Sequence, residues 1–274
     1  MTHDYENPWG YRLKWLYMLT VVGVLMLPVF YTLYISFNYG GFGAAEYEFT
    51  WLWYRTLFEN QEIRTTLGWT ALIAVIVVAC TIPLALLAAK FYQRTRFKVP
   101  FVFLMLMPLF VPADVTAAAL LVYFKNLNTL TESVLGLAMF ELSLWTAVIG
   151  QITWCLPYAF VVILVTMARF RPEQAEAART CGANAWQAFW HVEFPQIRAG
   201  VFASTAFVAI LSFNEYVRTN FLKGGFDTFP TYLVSYMLNT GMTPEVYAMA
   251  GLFTVVSMSV VIVVLATTML RERS

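Results

Sequence analysis

The sequence predicts an all-α membrane protein of six transmembrane helices, with both termini in the cytoplasm. Three observations carry that expectation. The 274 residues are 60% hydrophobic and only 12% charged, with a mean hydropathy of +0.65. That is roughly half the charge of a soluble domain, too little to solvate a globular surface, and the chain is too apolar to stay disordered. The apolar residues collect in six long blocks, each near the ~20 residues a helix needs to cross the hydrocarbon. The basic residues favour alternate loops, as cytoplasmic loops do.

The blocks are residues 14–37, 66–89, 100–124, 142–167, 200–221 and 247–270. The first is too long for the apolar core of a cleavable signal peptide, and no small-residue cleavage site follows it. With the N-terminus inside, Arg12, Lys14, Lys90, Arg94, Arg96, Lys98, Arg169, Arg171, Arg179, Arg198, Arg271 and Arg273 face the cytoplasm. Only Arg55, Arg64, Lys125, Arg218 and Lys223 fall elsewhere. The first outer loop, 38–65, carries Glu46, Glu48, Glu59 and Glu62 among many aromatics. It is expected on the outer membrane surface, with Trp51, Trp53 and Tyr54 at headgroup level. No internal repeat, low-complexity tract or linker interrupts the chain, so 1–274 reads as one domain.

In the third block Pro108 and Pro112 precede Asp114, so the helix there is broken or kinked. In the fourth, Trp154 and Tyr158 flank Pro157. The fifth contains Asn214, Glu215 and Arg218. A carboxylate within a span is costly and normally faces a bundle interior or a wet path. Two readings stay open for Asp114 and Glu215. Glu215 and Arg218, three residues apart, can form an internal ion pair. Alternatively Asp114, Trp154, Tyr158, Asn214 and Glu215 line a path that attracts an organic cation, the aromatics offering cation–π faces.

The polar segment 171–198 lies between the fourth and fifth blocks. Pro172 suits a first helical position, and Glu173 and Glu176 suit the positive end of a helix. Gly182 can stop that helix with a positive φ. Asn184 can cap a second helix over 185–192, which Pro195 should end before the fifth span. Trp186, Phe189 and Trp190 then project from one side. They form either an interfacial helix lying on the bilayer or a knob that docks into a soluble partner.

Several chemistries are absent. Cys80, Cys155 and Cys181 form no CxxC pair, and the histidines are His3 and His191 alone. No catalytic set and no metal site is expected. Gly-Lys never occurs, so the phosphate loop GxxxxGK[ST] is missing. A net charge of +1 gives no field for nucleic acid.

Glu176-Ala177-Ala178, three residues, Gly182, nine residues, Val192, one residue and Phe194-Pro195 resemble the EAA motif of ABC-importer permeases, E-A-A-x3-G-x9-I-x-L-P. Val stands for Ile and Phe for Leu. The whole chain is similar to the type I importer permease fold. The resemblance implies that Glu176, Ala177, Ala178, Gly182, Asn184, Trp186, Phe189 and Pro195 couple the spans to a partner ATPase dimer. That partner, not this chain, would bind ATP and Mg and hydrolyse the nucleotide. Glu176 can equally be no more than a partner for the helix dipole. The resemblance further implies a bacterial inner-membrane subunit, in contact with lipid. It would pair with a second permease chain in a heterodimer and with an extracytoplasmic solute-binding protein, met by outer loops at 224–227 and 240–245.

Within the family, Ser212-Phe213-Asn214-Glu215-Tyr216-Val217, Thr243-Pro244-Glu245-Val246-Tyr247-Ala248 and Pro112-Ala113-Asp114-Val115 resemble the spermidine/putrescine branch, in particular its C-type permease. The cargo implied is a polyamine or a related small organic cation. Asn214, where that branch has an acid, and the added Arg218 both reduce the negative potential. A neutral or zwitterionic solute such as a polyol therefore remains the alternative. An ion-gradient-driven transporter would show inverted repeats and paired broken helices, which the sequence lacks. An intramembrane enzyme would need a base or metal cluster, for which Asp114 with Glu215 is the sole candidate.

Overall fold

A computed structural model describes residues 8–168 and 170–272, with the side chains of residues 8, 9, 172 and 263–272 excepted. His3, Arg169 and Arg273 lie outside the described residues, as does the side chain of Arg271. The described chain is almost wholly helical: α1 Pro8–Ile35, α2 Leu52–Glu59, α3 Gln61–Arg94, α4 Lys98–Leu106, α5 Ala113–Leu135 and α6 Leu144–Met167. It continues with α7 Pro172–Thr180, α8 Ala185–Ala188, α9 Phe194–Phe213, α10 Val217–Leu222, α11 Phe229–Thr240 and α12 Pro244–Glu272. Among the described residues five helices are long and apolar enough to span a membrane, and a sixth span results if one bent pair counts as one.

The chain packs as two compact units. The first joins residues 8–61 with 235–256. Beyond Arg12 and Lys14 its α1 is apolar all round, yet only 6% of its spanning window is buried, so lipid is the solvent it suits. After α1 the chain folds on itself. Asn38 bridges Phe49 and donates from Nδ2 to the Gly41 carbonyl at 2.7 Å. Phe37 packs against Phe49, Trp51 and Tyr54 with ring centroids 4.8–5.6 Å apart. Tyr54 is buried, its hydroxyl 2.7 Å from Ser36 Oγ. Burial pushes that phenol above its ordinary pKa, and the Ser36 hydrogen bond opposes the shift. Tyr54 therefore corrects the expectation of a headgroup-level ring, whereas Trp51 is exposed. Gly251 in α12 lets the backbone come close to this pair. A Cβ there would lie 2.6 Å from the Tyr54 hydroxyl.

The second unit comprises residues 62–234 with 257–272. Its most extensive pairing is α6 with α9. Ala85 and Ala89 of α3, Cys155, Ala159, Phe160 and Ile163 of α6, and Ile197 and Val208 of α9 are fully buried. Small residues let helices approach where lipid supplies no hydrophobic drive. Gly200 is the extreme case, since a Cβ there would sit 2.0 Å from Thr166 Oγ1 and 2.5 Å from Thr166 Cβ.

Two expected spans are corrected. The third, read as one helix over 100–124, consists of α4, a 3-10 turn at Met107–Phe110 and α5, with a 100° bend. Pro112 cannot donate a backbone bond and forces Val111 to extended geometry, at ψ 131°. The proline break expected before Asp114 is thus present and sharper than a kink. The fifth, read as 200–221, ends as α9 at Phe213 and resumes as α10. Asn214 donates its side-chain amide to the Ile210 carbonyl at 2.8 Å, and Glu215 Oε1 accepts the Arg218 backbone N–H at 2.9 Å. The Asn214 backbone N–H still bonds Ile210 O at 3.2 Å, and beyond it these local side-chain bonds stand where the ladder stops. The segment between the expected outer loops at 224–227 and 240–245 forms α11, whose Phe229 N–H donates to Thr70 Oγ1 at 2.8 Å.

Candidate functional site

The segment from α7 to α9 begins as the sequence suggests. α7 ends in a two-bond glycine cap. The Gly182 N–H donates to Arg179 O and the Ala183 N–H to Ala178 O, both at 3.0 Å, with Gly182 at φ +95°. Two residues later Asn184 caps α8 reciprocally with Gln187. Gln187 N–H donates to Asn184 Oδ1 at 2.8 Å and Asn184 N–H to Gln187 Oε1 at 2.9 Å. The corner is therefore held by four hydrogen bonds between Ala178 and Gln187, with no side chain within 4 Å of the site of a Gly182 Cβ. Only φ demands glycine here. Glu176 and Ala177 are exposed and Ala178 is half-buried. An open depression beside them is lined by Arg171, Glu173, Gln174 and Ala177.

Pro195 does not end the second helix. It has no N–H for the His191 carbonyl, and the ladder slips instead through a π-turn at Phe189–Glu193, where the Phe194 N–H bonds Phe189 O. Residues Ala185–Phe213 form one continuous helical run of 29 residues. The aromatic knob is thus an extension of the fifth spanning helix rather than a separate helix. Its three rings do not share one environment. Trp186 is 69% exposed and Trp190 40%, stacked edge-on 5.5 Å apart. Phe189 turns toward the core around α3, because the π-turn rotates it.

The sequence reading missed what holds this element. Lys90, near the end of α3, places Nζ 2.9 Å from Glu193 and 3.9 Å from the Phe189 ring centre. Gln196 Nε2 donates to Gln174 Oε1 at 2.7 Å, joining α9 to α7. Lys90 is visible in the sequence only as one of the cytoplasmic basic residues, and nothing local pairs it with Glu193, so distant in the chain. Lys90→Glu and Glu193→Lys should each lower the thermal midpoint of the purified chain, and the double swap should restore most of it. A double-mutant cycle is expected to return a coupling of about 1 kcal/mol for such a partly exposed pair; zero coupling would show that Lys90 does not anchor the π-turn.

The expected path residues divide. Trp154 and Tyr158 meet edge-on at 5.0 Å, both half-buried. Arg218 lies with Cζ 4.3 Å over the Trp154 ring, and its Nη1 is 3.2 and 3.3 Å from the two Glu215 oxygens. The side chains of Arg218 and Glu215 are only 2% and 8% exposed. Asn214 is exposed beside them and accepts from Ser257 Oγ at 3.3 Å. Asp114 sits apart, exposed in the first turn of α5, with no ion pair among the described residues. Beneath Arg218 runs a buried polar chain that the sequence did not advertise. Ser212 Oγ donates to Gln151 Oε1, Gln151 Nε2 to Thr219 Oγ1 at 2.7 Å, and Thr146 Oγ1 to the Leu222 carbonyl at 2.8 Å. These bonds lock α10 to α6. Neutral Gln, Ser and Thr in apolar runs give no signal until the fold juxtaposes them.

A family profile described as "Binding-protein-dependent transport system inner membrane component" matches residues 81–271. The chain is 28% identical over 256 residues to the spermidine/putrescine transport system permease protein PotC of Escherichia coli (strain K12), covering 92% of each chain. It is 25% identical over 246 residues to the putrescine transport system permease protein PotI of the same strain, covering 88% of this chain and 86% of that one. Among solved structures it resembles a bacterial ABC transporter involved in import of the acidic polysaccharide alginate. There the TM-score is 0.71 at 15% identity, with 97% of this chain and 96% of the other covered. At that identity the likeness speaks for the fold.

Proposed function

The chain belongs to the binding-protein-dependent transport system inner membrane component family, and from that premise we propose that it is one of two permease subunits of an ATP-driven importer of small organic amines. The observation that carries the reading is the glycine-capped corner leading into a helix continuous with the fifth span. A push on exposed Trp186 and Trp190 passes along one 29-residue rod, not through a flexible loop. A separate ATPase dimer, binding ATP and Mg, supplies the push at Glu176, Ala177, Ala178, Gly182, Asn184 and Trp186. Phe189 and Pro195 serve inside the rod, at its π-turn.

The distribution of basic residues supports a cytoplasmic position for this element and for both termini. An extracytoplasmic binding protein delivers the cargo. The chain's similarity to the spermidine/putrescine permease PotC and the putrescine permease PotI supports an amine cargo. The Trp154–Tyr158 ring pair, with Arg218 on Trp154 and Glu215 on Arg218, is consistent with that class, and Asp114 and Asn214 would act as outlying polar contacts on the path. The reading is tested by expressing the chain with its neighbouring transporter subunits. The chain should elute with an ATPase subunit whose hydrolysis rises when binding protein is added. Solute flux through the lone chain without ATP would overturn it.

A further inference from the structure

Arg218 is nearly fully enclosed, yet only part of its guanidinium is used. Nη1 bonds Glu215, the Cζ face covers Trp154, and Nε and Nη2 have no hydrogen-bond partner among the described residues. Those two nitrogens form one edge of the planar fork, the edge that matches the two oxygens of a carboxylate. A buried donor left without an acceptor is costly, so an open edge of this kind calls for an occupant.

Charge points the same way. Glu215 and Arg218 cancel each other, so a diamine arriving here meets no net attraction and must compete with the guanidinium for the same carboxylate. A molecule bearing both an amine and a carboxylate also shares Glu215 with the guanidinium, but it brings a second charge that the unused guanidinium edge can bind. Its carboxylate takes the Nε/Nη2 edge, and its ammonium faces Glu215 and the half-buried Trp154 and Tyr158 rings.

We propose that Arg218, with Glu215, Trp154 and Tyr158, is a specificity-determining site for a small amine that also carries a carboxylate. The inference rests on the importer reading above and narrows its cargo class. The edge is enclosed in this conformation, so cargo reaches it when α10 lifts from α6. Gly150 allows α10 to close again, since it puts no Cβ where Leu222 Cδ1 sits 2.3 Å away.

The test uses the assembled transporter in nanodiscs and two labelled probes of matched length, 4-aminobutanoate and 1,4-diaminobutane. Equilibrium binding to the permease should favour 4-aminobutanoate. R218K, which keeps a charge for Glu215 but lacks the planar edge, should weaken that binding by about tenfold or more. R218M paired with E215Q, which removes both charges together, should abolish the preference. Thermal unfolding of each variant verifies that the fold survives. Preference for the diamine, no binding of either probe, or binding unchanged by R218K would overturn the proposal. Co-elution with the ATPase and binding-protein-stimulated hydrolysis would persist in each of those cases, so the importer reading stands or falls separately.

Discussion

Gly182→Pro is expected to reduce ATP-driven uptake by about a hundredfold while the chain still inserts and assembles. Gly182 sits at φ +95°, whereas proline locks φ near −65°, so the residue cannot occupy the corner at all. It also lacks the N–H that bonds Arg179 O. The local cost is about 3 kcal/mol, which lowers the population of the correctly aimed corner by roughly a hundredfold. Nothing else packs against this glycine, so the spans are left undisturbed. Gly182→Ala keeps the N–H and meets only the left-handed penalty of about 1–2 kcal/mol, so a milder, roughly tenfold loss is expected. The measurement is cargo moved per ATP hydrolysed in proteoliposomes. Full transport by the proline variant would mean that force does not pass through the corner.

Gly200→Ala is expected to act on the fold itself. The new Cβ would lie 2.5 Å from Thr166 Cβ, and that atom cannot be moved by changing a rotamer. The α6–α9 pair must separate, breaking the most extensive helix contact in the second unit. Overpacking of this kind costs about 1–3 kcal/mol, and here the clash is with the Thr166 side chain, on a helix that buried small residues hold close to α9. A lower thermal midpoint in detergent and a reduced yield of assembled transporter should both follow. Thr166→Ala in the same chain should rescue little, because its Cβ remains. Thr166→Gly should rescue more, less about 1 kcal/mol for glycine in a helix interior. Equal rescue by both would point to the Thr166 hydroxyl, not the close approach, as the cause.

The helical corner at 171–184 was legible because its cues are local. Pro172 starts a helix, Gly182 stops it, and Asn184 with Gln187 starts the next, each within hydrogen-bond reach in the chain. The same locality explains the failure at Pro195. Proline lacks a donor wherever it stands, but whether the helix stops or slips into a π-turn depends on what rewards continuation. Here Phe189 gains core packing and Glu193 gains Lys90 from α3. The break after Phe213 was missed for a related reason. Asn214 and Glu215 look like residues of a polar patch in a span, and only their bonds to Ile210 and Arg218 end the helix.

From its sequence alone the chain was bound to the membrane, to helices of spanning length and to a family-specific corner, because hydrophobicity and capping act over a few residues. The tertiary structure alone decided that Lys90 grips the π-turn, that Gln151 ties the fifth span's broken end to α6, and that Arg218 stacks on Trp154 with one edge unspent. Those pairings join residues far apart in the chain. Their energies depend on distance and enclosure, which no stretch of neighbouring residues encodes.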